Sequence, residues 1–166
     1  MSILICYDGS PSAAHAVSVA QATLGHQDAI LLHVWNPPDG VLADAFSTRD
    51  GDPGPSYAEL EGLALARAGE VSDQGRELAA GLGLSVEVRQ ERNDSSVWQT
   101  ILDVAEAVDA ELIVVGTHGA TAVQSDLLGS VSNALAHHSE RPVVVVPPGK
   151  RVMSGAGTPA PAATPR

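Results

Sequence analysis

The strongest constraint on this chain is an alternation of short, wholly apolar runs with longer alanine-rich segments of helical period. "SILICY" at residues 2–7, "AILLHVW" at 29–35, "LSVEVRQ" at 84–90, "ELIVVG" at 111–116 and "PVVVVP" at 142–147 are the strand candidates. Between them lie the helix candidates "SPSAAHAVSVAQATLG", the long "YAELEGLALARAGEVSDQGRELAAGLG", "NDSSVWQTILDVAEAVDA" and "SVSNALAHHS". Most of the runs are continuously apolar rather than alternating, which requires both faces of the sheet to be covered. The expected fold class is therefore α/β: a single doubly wound domain with a five-stranded, mostly parallel sheet and four helices. In an open sheet of this kind ligands bind beyond the carboxyl ends of the strands.

Local chemistry marks several boundaries. Ser10 is placed to cap the first helix, Pro11 fits its first turn and Gly25 closes it. A Gly-, Pro- and Asp-rich loop is expected from residue 36 to about 56, followed by a helix that ends near Gly81 or Gly83. The domain is expected to cover residues 1–148. Residues 149–166, "GKRVMSGAGTPAPAATPR", hold too little apolar patterning to offset the entropy of ordering and are expected to form a disordered tail.

The bulk numbers exclude several classes. With 166 residues the chain is the size of one ordinary domain, and its core must be built from Ala, Val, Leu and Ile, because aromatics make up only 3%. Nine basic residues against twenty acidic ones leave a net charge of −11, which repels nucleic acid and anionic membranes. A single cysteine, Cys6, excludes an internal disulfide and is expected to pack as a small apolar residue. No apolar run approaches the roughly 20 residues of a membrane span, and no basic leader precedes Asp8, so the expected location is the cytoplasm.

The segment "GTHGATAVQSDLLGSVSNAL" carries the functional signal. Gly116 and Gly119 bracket a short turn after an apolar strand, where positive φ or the close approach of another molecule would demand glycine. Gly129 and Ser130 then open a helix, whose free amides and partial positive charge suit a phosphate. Ser130 is placed to cap that helix. If residues 120–128 fold back, both glycine turns face the same anion. Taken alone, such glycine spacing is more often structural.

"CYDGSPS" at the first strand end, "LLHVW" at the second, Gly-x2-Gly-x9-Gly-Ser before a helix, and the final "PVVVVP" together resemble the universal stress protein family. The resemblance covers residues 2–148. It implies a sheet in the order 3-2-1-4-5, like that of adenine nucleotide alpha hydrolases, and a module that binds ATP, with Mg2+ as a companion and ADP or AMP as alternatives. It further implies that Cys6, Tyr7 and Asp8 sit at the ribose and adenine and that Val34 meets the adenine through its main chain. Val115 and Gly116 would line the base and ribose, while Gly119, Gly129, Ser130 and Val131 would enclose the phosphates. A homodimer through the last strand, from Pro142 to Pro147, is implied as well.

The chain departs from many relatives in having no Lys or Arg between Gly119 and Gly129, where it carries Asp126. Its third strand leads into "ERNDSSV" rather than a Gly-x-Pro turn. Two other readings stand beside the leading one: a slow ATP hydrolase, and a nucleotide-free interaction scaffold. Against the first, there is no Gly-x4-Gly-Lys-Ser/Thr loop, no "HIGH" or "SGG-x-DS" segment, and the single lysine is Lys150. Bland roles are expected for the remaining chemistry-bearing side chains. Asp8 can cap or stabilise its turn, His118 is expected to be solvated or backbone-bonded, and His137 and His138 complement a helix dipole. His15, His26 and His33 lack ligand spacing, Trp35 and Trp98 read as packing residues, and no carboxylate pair has metal-ligand spacing.

Overall fold

The computed structural model describes residues 2–25, 28–39, 54–119 and 129–149. Along the chain run β1 (Ser2–Cys6), α1 (Pro11–Leu24), β2 (Asp28–Trp35), α2 (Tyr57–Gly81), β3 (Val86–Arg92), α3 (Val97–Ala107), β4 (Leu112–Gly116), α4 (Ser130–His138) and β5 (Val143–Val146). The five strands pair in parallel in the order β3-β2-β1-β4-β5. The loop expected from residue 36 to 56 and the expected tail lie largely outside the described residues.

Alternation along β1 explains why its sequence is apolar throughout. Ile3, Ile5 and Tyr7 face α1 and α2, joining Ala13, Ala16, Val17, Val71 and Ala79. Leu4 and Cys6 face the other way, joining Ile101, Val104 and Ala105 of α3 and Leu135 of α4. Two aliphatic layers thus sandwich the sheet, and small alanines let the helices lie close to it. No helix among the described residues is long and apolar enough to cross a membrane.

α1 begins and ends as its sequence dictates. The Ser10 hydroxyl accepts from Ala13 N at 3.1 Å, Pro11 occupies the first turn, and Gly25 takes φ 66° at the end. At α2, Ser56 and Glu59 form a reciprocal capping box. By contrast Ser96, at the cap position of α3, makes no capping bond, and its hydroxyl is buried without a partner among the described residues.

β3 starts two residues later than its alternation suggests. Gly83, at φ 76°, donates to Ala80 O, and Leu84 N donates to Ala79 O, so both belong to the termination of α2. The side chain of Leu84 is buried beside that last turn. This is the Schellman arrangement, in which an apolar residue after the left-handed glycine packs back on the helix.

Gly75, in the buried half of α2, is a packing requirement. A Cβ there would stand 2.7 Å from Tyr7 Cδ1 and 2.9 Å from Leu31 Cδ2, whereas at Gly62 it would meet nothing within 4 Å among the described residues. The two positions should therefore respond oppositely to alanine. Gly62→Ala is expected to stabilise the protein by up to about 1 kcal/mol through helix propensity. Gly75→Ala is expected to destabilise it by about 1–3 kcal/mol through overpacking. Urea unfolding of both variants measures the contrast, and equal shifts would refute the packing role.

Candidate functional site

The strand order reverses between β1 and β4, and in open α/β sheets such a reversal marks a crevice beyond the carboxyl ends of the strands. On the β1 side the chain turns sharply after Tyr7. Gly9 takes φ 80°, and Ser10 N donates to Asp8 Oδ1 at 2.9 Å. Asp8 thus stabilises the turn, and the cap of α1 belongs to Ser10. The same Ser10 hydroxyl donates to His118 O at 3.2 Å, which ties this turn to the one after β4.

On the β4 side, Gly116 closes the strand against α1. A Cβ on Gly116 would lie 2.7 Å from Ser12 Cβ and 2.9 Å from Ala13 N. The close approach expected at this glycine is therefore made, on the side where a side chain would project, by the protein's own helix. Neither Gly116, Gly119 nor Gly129 has positive φ, which corrects that part of the expectation. At Gly119 a Cβ would meet Asp8 Oδ2, at 3.0 Å.

Thr117 joins three elements. Its N–H donates to Val146 O at 2.8 Å, while its carbonyl accepts from Gly129 N at 2.7 Å and from the Ser132 hydroxyl at 3.0 Å. Gly129 is the cap residue of α4, with φ −61° and ψ 158°, and Ser130 is the first helical residue. Ser130 therefore does not cap the helix. The cap position presses against Thr117 O, where a Cβ on Gly129 would stand at 2.7 Å, so only a residue without a side chain fits. Among the described residues no side chain caps α4, and the amides of Ser130, Val131 and Ser132 open it without an i−4 partner. Residues 120–128, expected to fold back, lie outside the described residues.

The apolar candidates gather on one face. Cys6 and Val115 are buried in the layer under α3 and α4, and Val34 and Val131 pack against it. Tyr7 points the opposite way, its ring pressed against Gly75, so Cys6 and Tyr7 commit their side chains to the core, while Tyr7 N donates to Leu32 O at 2.8 Å. Burial, and then the charge of Asp8, pushes the Cys6 thiol from its ordinary 9.0 up to about 12. The Tyr7 phenol is raised for the same two reasons.

The histidines serve mainly as fasteners. His33 Nδ1–H donates to Tyr7 O at 2.8 Å, and His15 Nδ1–H donates to Pro147 O at 2.7 Å. His138, in the last turn of α4 beside His137, stacks on Trp98 at 4.8 Å between ring centroids. His118 departs from expectation. Its Nδ1 bonds the Thr117 hydroxyl at 2.9 Å, and its Nε2 is buried with no partner among the described residues.

Ser10, Ser12, Thr117 and Ser132 were not legible as site residues, although "SPS" and "GSVS" place serines in the first turns of α1 and α4. Among the described residues no group of three His, Cys, Asp or Glu could hold a metal ion. A groove of about 320 Å3 lies elsewhere, between β3 and α3, lined by Arg89, Glu91, Arg92, Asp94 and Asp103 among others. Its two arginines are occupied by neighbouring acids: Arg89 bonds Glu91, and Arg92 bonds Glu61 and Asp94.

Residues 1–147 match the family model described as the universal stress protein family. A universal stress protein of Mycolicibacterium smegmatis is 32% identical over 151 residues, which are 89% of this chain and 46% of that protein. The chain thus spans about half the length of that relative. One from Thermus aquaticus is 31% identical over 152 residues, covering 87% of this chain and 97% of its own. Among solved structures, hypothetical protein MJ0577 superposes with a TM-score of 0.69 at 26% identity, over 88% of this chain and 94% of that one. A universal stress protein in complex with cAMP gives 0.62 at 21% identity, over 90% and 98% of the two chains. An Arabidopsis thaliana family protein with AMP bound gives 0.56 at 16%, over 90% and 93%. Likeness at the last two identities shows the fold alone.

The Cys6 environment carries a pH dependence. The unfolded chain ionises this thiol near 9.0 and the native protein only near 12. Its contribution to stability is therefore complete below pH 9 and is lost as the pH rises from 9 to 12. Denaturant unfolding should show stability falling across that window by up to about 1.4 kcal/mol per pH unit from this group. Cys6→Ala should flatten the slope. An unchanged slope in the variant would contradict the burial argument.

Proposed function

The chain belongs to the universal stress protein family, and on that premise we propose that it is an adenine-nucleotide-binding module of the stress response, ATP being among its ligands. The observation that carries this reading is the opening of α4. A glycine cap with no capping side chain leaves the amides of Ser130, Val131 and Ser132 at the crevice side of β4, where helix dipole and unmet N–H groups favour a phosphate. The donor set present fits such a group: these amides, the exposed Ser130 hydroxyl, and the Nε2 of His118 in the adjoining turn, which has no partner among the described residues.

In this reading the roles are those that the family resemblance implies. Asp8 presents a carboxylate at the end of β1 that suits a ribose hydroxyl, and Cys6 and Tyr7 contribute backbone there. Val34, on β2, offers its main chain to the adenine, and Val115 and Gly116 border the base and ribose. Gly119, Gly129, Ser130 and Val131 enclose the phosphates. cAMP and AMP in two relatives of the same fold support an adenylate as the ligand class.

The single domain covers residues 1–148 in this reading, resides in the cytoplasm and pairs with a second copy through β5. The two sheet edges differ in a way that favours such pairing. β3, "VEVRQER", exposes charges that discourage strand addition, whereas β5 is "VVVV", with Val144 exposed. Val144→Lys is expected to shift the protein from dimer to monomer in sedimentation equilibrium. A wild type that is monomeric at all concentrations would refute the pairing.

Ser130→Glu separates binding from folding. A carboxylate in the first helical turn stabilises α4 by about 0.3–1 kcal/mol, yet it repels a phosphate at the same amides. Equilibrium dialysis with labelled AMP and ATP is expected to show at least tenfold weaker binding by a variant whose melting temperature is unchanged or raised. Undiminished binding would remove the proposed phosphate site.

A further inference from the structure

We infer that this crevice selects among adenine nucleotides by charge, accepting monophosphates as free anions but ATP only when a divalent cation accompanies it. The inference rests on the functional reading above and concerns how that same site discriminates. Neither residues 1–48, which supply β1, α1 and β2, nor residues 93–140, which supply β4 and α4, contain a single Lys or Arg. Every side chain proposed to touch the nucleotide comes from these two segments.

The described arginines stand on other elements, each within 4 Å of a carboxylate. Arg67 and Arg76, on α2, pair with Glu70 and Asp73. Arg89 and Arg92 belong to β3, which β2 and β1 separate from β4, and both are bonded to acids. Arg141 precedes β5, where it donates to Ala110 O and lies near Asp109, at the amino end of β4. None of them neutralises a phosphate at the carboxyl ends of β1 and β4 in this arrangement.

Among the described residues, what the crevice offers is the start of α4, equivalent to roughly half a positive charge. Against it stand Asp8, whose Oδ2 lies 3.0 Å from the position of a Gly119 Cβ, and a protein of net charge −11. A single phosphate, held by the amides of the helix start, adds the least charge to that balance. Each additional uncompensated phosphate brings negative charge into a field that is already negative. His118 Nε2, buried and without a partner among the described residues, adds one directional bond for a phosphate or ribose oxygen.

The test uses the full chain freed of nucleotide, titrated calorimetrically with AMP, cAMP and ATP, each in EDTA and in Mg2+. AMP and cAMP are expected to bind equally in both buffers. ATP in EDTA is expected to bind at least about tenfold more weakly than AMP, and Mg2+ is expected to restore most of the loss. Because the penalty is electrostatic, raising the salt concentration should narrow the gap between AMP and free ATP. ATP in EDTA binding as tightly as AMP would overturn the inference while leaving the functional reading in place, as would a gap indifferent to salt. Failure of every adenine nucleotide to bind would overturn the functional reading itself.

Discussion

Ser12 passes Gly116 so closely that a single carbon on the glycine would overlap it, and the geometry of the crevice depends on this contact. It sets the start of α1 directly against the end of β4. From there Ser10 caps α1 and reaches His118 O, so the turns after β1 and β4 hold each other. Thr117 continues the chain of contacts, bonding β5 through its amide and the cap of α4 through its carbonyl. Asp8, Gly119 and the first turn of α4 are therefore positioned by a few short backbone contacts around small residues. A bulkier residue at Gly116 or Gly129 would have to push backbone aside, which is costlier than rotating a side chain.

This construction suits a site built from main-chain donors. Amides fixed in a helix start are already oriented toward a ligand, so little ordering entropy is lost on binding. Long cationic side chains would bring more charge at a greater entropic cost. The protein has kept the first device and left the second out of both segments that frame the crevice. On the proposed reading, the consequence is a site whose strength depends on the charge state of what enters it. Aliphatic packing beneath the crevice supports the same rigidity, because Cys6, Val115 and Leu135 are buried in one layer directly under its rim.

Much of the architecture was legible in the chain. Continuous apolar runs demanded a sheet covered on both faces, and Ser10, Pro11 and Gly25 marked the limits of α1 because capping and left-handed φ are local demands. The resemblance of the separated motifs to a known family supplied the strand order. Local signals failed where two demands competed for one residue. Leu84 alternates like part of a strand, but its neighbour Gly83 makes it the apolar plug of a helix end. Ser130 has the side chain of a cap, but the cap position abuts Thr117 O and excludes any side chain.

By itself the sequence determined the fold class, the helix and strand periods, the aliphatic core and the absence of cations from the segments that frame the crevice, because these follow from residue type and spacing. Only the tertiary structure decided why Gly116, Gly75 and Gly129 must be glycines. Each meets a partner far away in the chain, respectively Ser12, Tyr7 and Thr117. Steric exclusion at such contacts is a property of pairs brought together by folding, and no local pattern records it.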